Sequence, residues 1–279
     1  MTISKYGRQY KPEMYFTGND LIIAQSIYDG DTTLVHQIPD SEVNKINEKG
    51  ICFLIYSIYA NNEQAMEILL RKGANPNIYC DIKPDLEDAQ EDITPLAQAA
   101  RCPKISYVRT LLKYGANPND TRSFHIALDE AVLRNDREMV DLLLDNGADI
   151  NIQTKLTKAT VVVTAADIHD FDMVNYLLDR GAKPMLRDAD GDCLAYTVQH
   201  QINRGRGSDK YKKELQDLKK RLESMGVVFP VEKIPSTKEE TYEYKPSTPM
   251  PDSTPSSALQ AQNPQKKKWS ILFDDDENC

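Results

Sequence analysis

The sequence is poor in the residue types from which catalytic and metal centres are usually assembled. Its four histidines, His36, His125, His169 and His200, are far apart and form no His-Glu-x-x-His or His/Cys pairing. Its five cysteines, Cys52, Cys80, Cys102, Cys193 and Cys279, are odd in number and scattered. That excludes a disulfide framework and the paired spacing of a zinc site, and it fits reduced thiols in a cytoplasm. No P-loop or Gly-x-Gly-x-x-Gly string occurs. No apolar run approaches the roughly 20 residues that cross a bilayer, and the first residues lack the about 7–15 apolar positions of a signal peptide. A cytoplasmic chain with no membrane contact is expected. Basic residues are also in deficit, 34 against 43 acidic, for a formal charge of −9 over 279 residues. Such a surface repels nucleic-acid phosphates. Catalytic, cofactor and metal residues are therefore expected to be none, and nucleic acid is not an expected partner.

What the sequence does have is self-similarity. The strings LLRKGANPN, LLKYGANPND, LLDNGADIN and LLDRGAKPM place Gly73, Gly115, Gly147 and Gly181 at intervals of 42, 32 and 34 residues. Each glycine follows an apolar stripe at helical spacing: Met66, Leu69, Leu70; Val108, Leu111, Leu112; Met139, Val140, Leu143, Leu144; Val174, Leu177, Leu178. A helix stopped by a glycine in the left-handed conformation explains that pattern. A second apolar stretch begins 21 residues before each glycine, at Cys52, Thr94, Ile126 and Thr160. The unit is therefore a pair of helices, and stacking of units supplies the core.

The phased pattern resembles the ankyrin-repeat family. Two of the three intervals bracket its ~33-residue period, and the first exceeds it by an insertion. Thr94, Pro95 and Leu96 resemble its Thr-Pro-Leu-His signature, with Ala97 in place of histidine. The other repeats keep only small and apolar residues there. The resemblance implies an all-α ankyrin-repeat solenoid, stacked helix pairs with β-turn fingers. About four central repeats over about 47–187 lie between an N-terminal capping repeat at 15–46 and a C-terminal cap at 188–230. In the last cap, helices are expected near 194–201 and 210–225. Residues 1–14 are read as an arm. Residues 231–279, rich in proline, serine, threonine and charge, are read as a disordered tail that cannot bury enough apolar surface to offset its ordering entropy.

The resemblance further implies a non-catalytic module that binds another protein through fingers and first helices. Mapped residue by residue, it puts Arg122, His125, Leu156 and Asp190 on fingers, together with Lys49, Ile51, Glu91, Ile93 and Thr157. It puts Tyr59, Arg101, Leu133, Arg134, Asp167 and Ile168 at exposed first-helix ends. Tyr59, Arg101 and Arg134 are the expected anchors, since tyrosine and arginine dominate interface hot spots. The insertion enlarges one finger and gives it Asp85, Glu87 and Asp88, which with the net charge favours a basic partner over a neutral one. In the tail, Trp269, Leu272 and Phe273 between basic and acidic blocks suggest a docking segment, or simply a solvated end. Asp188 to Asp192 read as a turn, because Gln199 stands where a calcium loop needs glutamate. The opening YFTGNDLIIAQSIYDGD resembles bacterial ankyrin proteins encoded beside effectors. That resemblance implies an immunity or inhibitor protein, monomeric when free, that sequesters a toxin. A secreted effector or adaptor binding a host protein is the alternative.

Overall fold

The structure is a computed structural model that describes residues 10–83 and 91–233. Helices dominate them. After a short 3-10 turn at Pro12–Met14 come α1 (Gly18–Tyr28) and α2 (Thr33–Gln37), then the pairs α3 (Phe53–Tyr59) with α4 (Glu63–Arg71) and α5 (Pro95–Ala100) with α6 (Ile105–Lys113). They are followed by α7 (Ala127–Leu133) with α8 (Arg137–Asp145), α9 (Val161–Asp167) with α10 (Phe171–Asp179), and α11 (Leu194–Arg204) with α12 (Asp209–Ser224). First helices pack on first helices in the order α1, α3, α5, α7, α9, α11. Second helices pack likewise, α2 on α4, α6 on α8 and α10 on α12. The main contacts among the described residues run between neighbouring units, as a solenoid requires.

The local causes repeat with the sequence. In the middle of the stack the first helices are deeply buried: every residue of α3 and α5 is buried, so they are short and apolar, whereas α1 and α11 bury only three residues each. Second helices are amphipathic and bury only one stripe, for example Met139, Val140 and Leu143 in α8. Thr94 caps α5, accepting from the Ala97 amide. Asn62, Asp136 and Asp170 cap α4, α8 and α10 through the amides of Ala65, Met139 and Met173. The terminating glycines all stand at positive φ, 93° at Gly73, 87° at Gly115, 89° at Gly147 and 97° at Gly181. There the amide of the next alanine turns back to the carbonyl of Leu69, Leu111, Leu143 or Leu177 at 2.9–3.0 Å. This closes the helix end in the Schellman manner.

A second set of bonds ties each unit to the next. Asn77 donates its side-chain amide to the Gly115 carbonyl at 2.9 Å and accepts from the Asn117 amide at 2.6 Å. Asn119 does the same to Gly147 and Asp149 at 2.8 and 2.7 Å. Asn44 reaches Gly73 and Asn75, and Asn151 reaches Gly181 and Lys183. Four asparagines thus form a ladder along the outside of the stack.

The insertion is more than a longer turn. Cys80–Ile82 (β1) and Glu91–Ile93 (β2) pair antiparallel, Cys80 opposite Ile93 and Ile82 opposite Glu91. The apolar side chains Ile82 and Ile93 at the base of this hairpin are buried. Residues 84–90, where Asp85, Glu87 and Asp88 fall, lie outside the described residues, as do Trp269, Leu272 and Phe273.

Candidate functional site

Five fingers precede the first helices: 47–51, the β1–β2 hairpin, 119–125, 153–159 and 187–192. Each is fastened to the next. The Lys83 amide donates to the Lys49 carbonyl at 2.8 Å, joining the first finger to the hairpin. Asp92 joins the hairpin to the third finger, accepting from Tyr79 Oη at 3.0 Å and from the Phe124 amide at 3.0 Å, while its carbonyl accepts from Ser123 Oγ at 2.7 Å. Lys155 Nζ reaches the Arg122 carbonyl at 3.4 Å, and the Ala189 amide donates to the Thr157 carbonyl at 2.7 Å. The fingers are therefore joined one to the next through their described residues.

The expected binding residues separate into several kinds. Arg122 is exposed, bound to Asp120 at 2.5 Å and set over the Tyr79 ring. His125 faces Glu130 at 2.6 Å. Leu156 is 50% exposed, and Asp190 also faces solvent. Arg134, at the end of α7, is exposed and donates to the Arg101 carbonyl at 3.2 Å. Arg101 is half-buried and ion-paired with Glu91. These two arginines stand next to each other on successive units, as the frame requires.

Tyr59 is a correction. It was expected at an exposed helix end, but it is 3% exposed. The ring of Tyr10 stacks on it, centroids 4.4 Å apart and planes 14° from parallel, and its hydroxyl donates to Glu91 at 2.8 Å. Tyr56 fixes Tyr10 by donating to its carbonyl at 3.1 Å. Burial and the Glu91 carboxylate push the Tyr59 hydroxyl far above its ordinary pKa. The N-terminal residues around Tyr10, Tyr15 and Phe16 cover the first repeat with aromatic rings and use Tyr59 as a packing surface. Ile51 and Ile93, also expected on fingers, are fully buried beneath them. The sequence pattern that marks a finger position does not show which way a given side chain turns.

Phe124 and Leu133 carry the most exposed apolar surface near the third finger, 51% and 42%, and Phe124 was not among the expected residues. It occupies the slot filled by Gly50 and Gly191 in other fingers, three places before the first helix. A lone phenylalanine at a turn slot was the available signal.

Among the described residues no group of three or more histidine, cysteine, aspartate or glutamate side chains could hold a metal ion. Asp188 uses its carboxylate on the amides of Asp190 and Asp192, at 2.9 and 2.8 Å, which is a side-chain-stabilised turn. Cys52 and Cys80, 3.7 Å apart between sulfurs, are buried thiols. No helix among the described residues is long and apolar enough to cross a membrane.

Stacked helix pairs with a fastened row of fingers define a repeat solenoid of the protein-binding class. The family pattern described as ankyrin repeats in three copies matches residues 21–122, and that of a single ankyrin repeat matches 125–155. Residues 21–122 and 125–155 thus carry ankyrin repeats, and the fold is an ankyrin-repeat solenoid. The chain is 29% identical over 137 residues to an ankyrin repeat protein of fowlpox virus, covering 40% of this chain and 31% of that one. It is 28% identical over 185 residues to an ankyrin repeat protein of Acanthamoeba polyphaga mimivirus, covering 61% and 23%. The matched stretch thus spans less than a third of either relative. Among solved structures, the ankyrin repeat domain of Bcl-3, a member of the IkappaB protein family, superposes with a TM-score of 0.55 at 19% identity, over 71% of this chain and 84% of that one. That likeness concerns the fold.

Proposed function

We propose that the chain is a non-catalytic module that binds another protein on the fingers and first-helix ends of its third and fourth repeats. Exposed apolar side chains on the finger side of these two repeats carry this reading. Phe124, Leu133 and Leu156 present large apolar surfaces on that side. The exposed residues of the second helix α8 are all charged, Arg137, Glu138 and Asp145, as are those of α10, Asp172 and Asp179. A face tuned for solvent stands against one that gains by being covered.

Sequestration, in which the bound partner loses access to its own surface, is the simplest action for such a module. The narrower expectation of a bacterial toxin inhibitor finds no support in the relatives named above, which are viral. Photo-crosslinking tests the reading. A photoreactive residue at position 122 or 156 should trap one protein in the cell that makes this chain, and the same residue at position 138 should not. Trapping of the same protein from position 138 alone would place binding on the second helices and reject it.

A further inference from the structure

Two thiols meet where the first finger enters its helix. Cys52 immediately precedes α3, and Cys80 opens β1, the first strand of the hairpin. Their sulfurs are 3.7 Å apart, and the Cys80 thiol donates to Cys52. Both side chains are buried although 28 positions separate them in the chain. The place of Cys52 is taken by Thr94, Ile126 and Thr160 in the next three repeats, so the repeat pattern does not require a thiol there. Cys102 stands apart from the pair, its sulfur donating to the Gln98 carbonyl at 3.4 Å.

The two thiols are chemically unequal. The hydrogen bond from Cys80, joined by the amides of Ile55 and Leu54, holds the Cys52 thiol below its ordinary pKa against the effect of burial. The same bond, together with burial, pushes the Cys80 thiol up. Negative charge on the pair therefore settles on Cys52, which makes it the attacking sulfur and Cys80 the resolving one. A disulfide needs its sulfurs about 2 Å apart, so from 3.7 Å they have about 1.7 Å to travel. Access comes from the hairpin. Strands β1 and β2 have three residues each and form a sheet of two strands, the least stable kind. A local opening of it uncovers Cys80 and admits a small oxidant.

We infer that Cys52 and Cys80 form a redox-responsive pair, which hydrogen peroxide closes into a disulfide that pins the hairpin to the start of α3. The Cys52 sulfur attacks one peroxide oxygen, the O–O bond breaks, and the displaced hydroxide leaves as water with the thiol proton, giving a sulfenic acid. The Cys80 sulfur then attacks the Cys52 sulfur. The S–S bond forms, the S–O bond breaks, and a second water carries off the Cys80 proton. The two thiols together lose two electrons and two protons, and the peroxide is reduced to two waters. Asp92, on the paired strand, accepts from the Phe124 amide and the Ser123 hydroxyl, so a pinned hairpin steadies the third finger as well. The lock operates whatever the fingers bind.

Oxidation of the folded full chain with hydrogen peroxide, followed by alkylation of free thiols and peptide mapping without reductant, tests this. A peptide cross-linked through Cys52 and Cys80, two hydrogens lighter than the sum of its parts and opened by dithiothreitol, is expected. Hydrogen exchange at 80–82 in the oxidised chain should slow by at least about tenfold, while α9 and α10 keep their parental rates. Cross-links from either thiol to Cys102, Cys193 or Cys279, sulfinic or sulfonic acids without the cross-link, or both thiols left free would overturn the pairing. So would a cross-link that forms only in urea, since it would belong to the unfolded chain. A Cys52–Cys80 cross-link with unchanged exchange at 80–82 would overturn the lock.

Discussion

Single side chains bear on the stability of this stack in two ways that answer to different experiments. The asparagine ladder is the first. Asn119 makes two bonds across a unit boundary, to Gly147 and Asp149, from an exposed position. Replacing it with alanine, Asn119→Ala, should lower stability by about 1–2 kcal/mol, read from urea denaturation. The ladder was present in the repeated strings, where asparagine follows the glycine by four places at Asn77, Asn119 and Asn151. The fourth string has Met185 there, which carries no amide to continue the ladder. Asp129 is the second. Burial raises its carboxyl from 3.8 to about 6, against the opposing hydrogen bond from Thr164, and its Oδ1 has no hydrogen-bond partner. Between those values the unfolded chain releases a proton that the folded chain retains, so this group's contribution to stability falls as pH rises through the window and is flat above it. Asp129→Asn should therefore be more stable than the parent by about 3 kcal/mol at pH 7.5, with the two converging near pH 4, in paired denaturation curves.

Elements set where those side chains stand, and two of them differ from a plain ankyrin unit for physical reasons. Nine or so extra residues between the first two glycines became a paired hairpin because Ile82 and Ile93 could be buried at its base. It packs directly on the first finger, where Gly50 sits at φ +77° and a Cβ would fall 1.7 Å from the Asp81 carbonyl oxygen. Gly50→Ala should displace the hairpin and expose its amides, so hydrogen exchange at 80–82 and 91–93 should accelerate while that of α9 and α10 stays at parental rates. The N-terminal turn is the other element. Tyr59 was legible as a first-helix end but not as a buried one, because the stacking ring, Tyr10, belongs to a segment with no repeat phase. Tyr59→Ala should act as a core truncation, lowering stability by about 3 kcal/mol or more while leaving partner affinity at tips three and four unchanged.

At the scale of the molecule, glycine phase was enough to read the stack from sequence. The periodic contacts are local, and each unit repeats the same apolar stripe, cap and helix stop. The proposed binding face was only partly legible. Arg122, Arg134 and Leu156 were marked by their position in the frame and are exposed, but Phe124 occupies a slot that the frame reserves for a turn residue. Net charge favours a basic partner, but a sum over 279 residues does not show which carboxylates are already paired. Asp92, Glu91 and Asp120 are all bound internally, and that knowledge needs coordinates. The central claim is that the third and fourth repeats grip a protein with their finger side. Its most direct test is hydrogen exchange on the chain alone and with the protein trapped by crosslinking from position 156. Slowed exchange is expected across 119–125 and 153–159, with α8 and α10 unchanged. Protection confined to α8, α10 or α12 would contradict it.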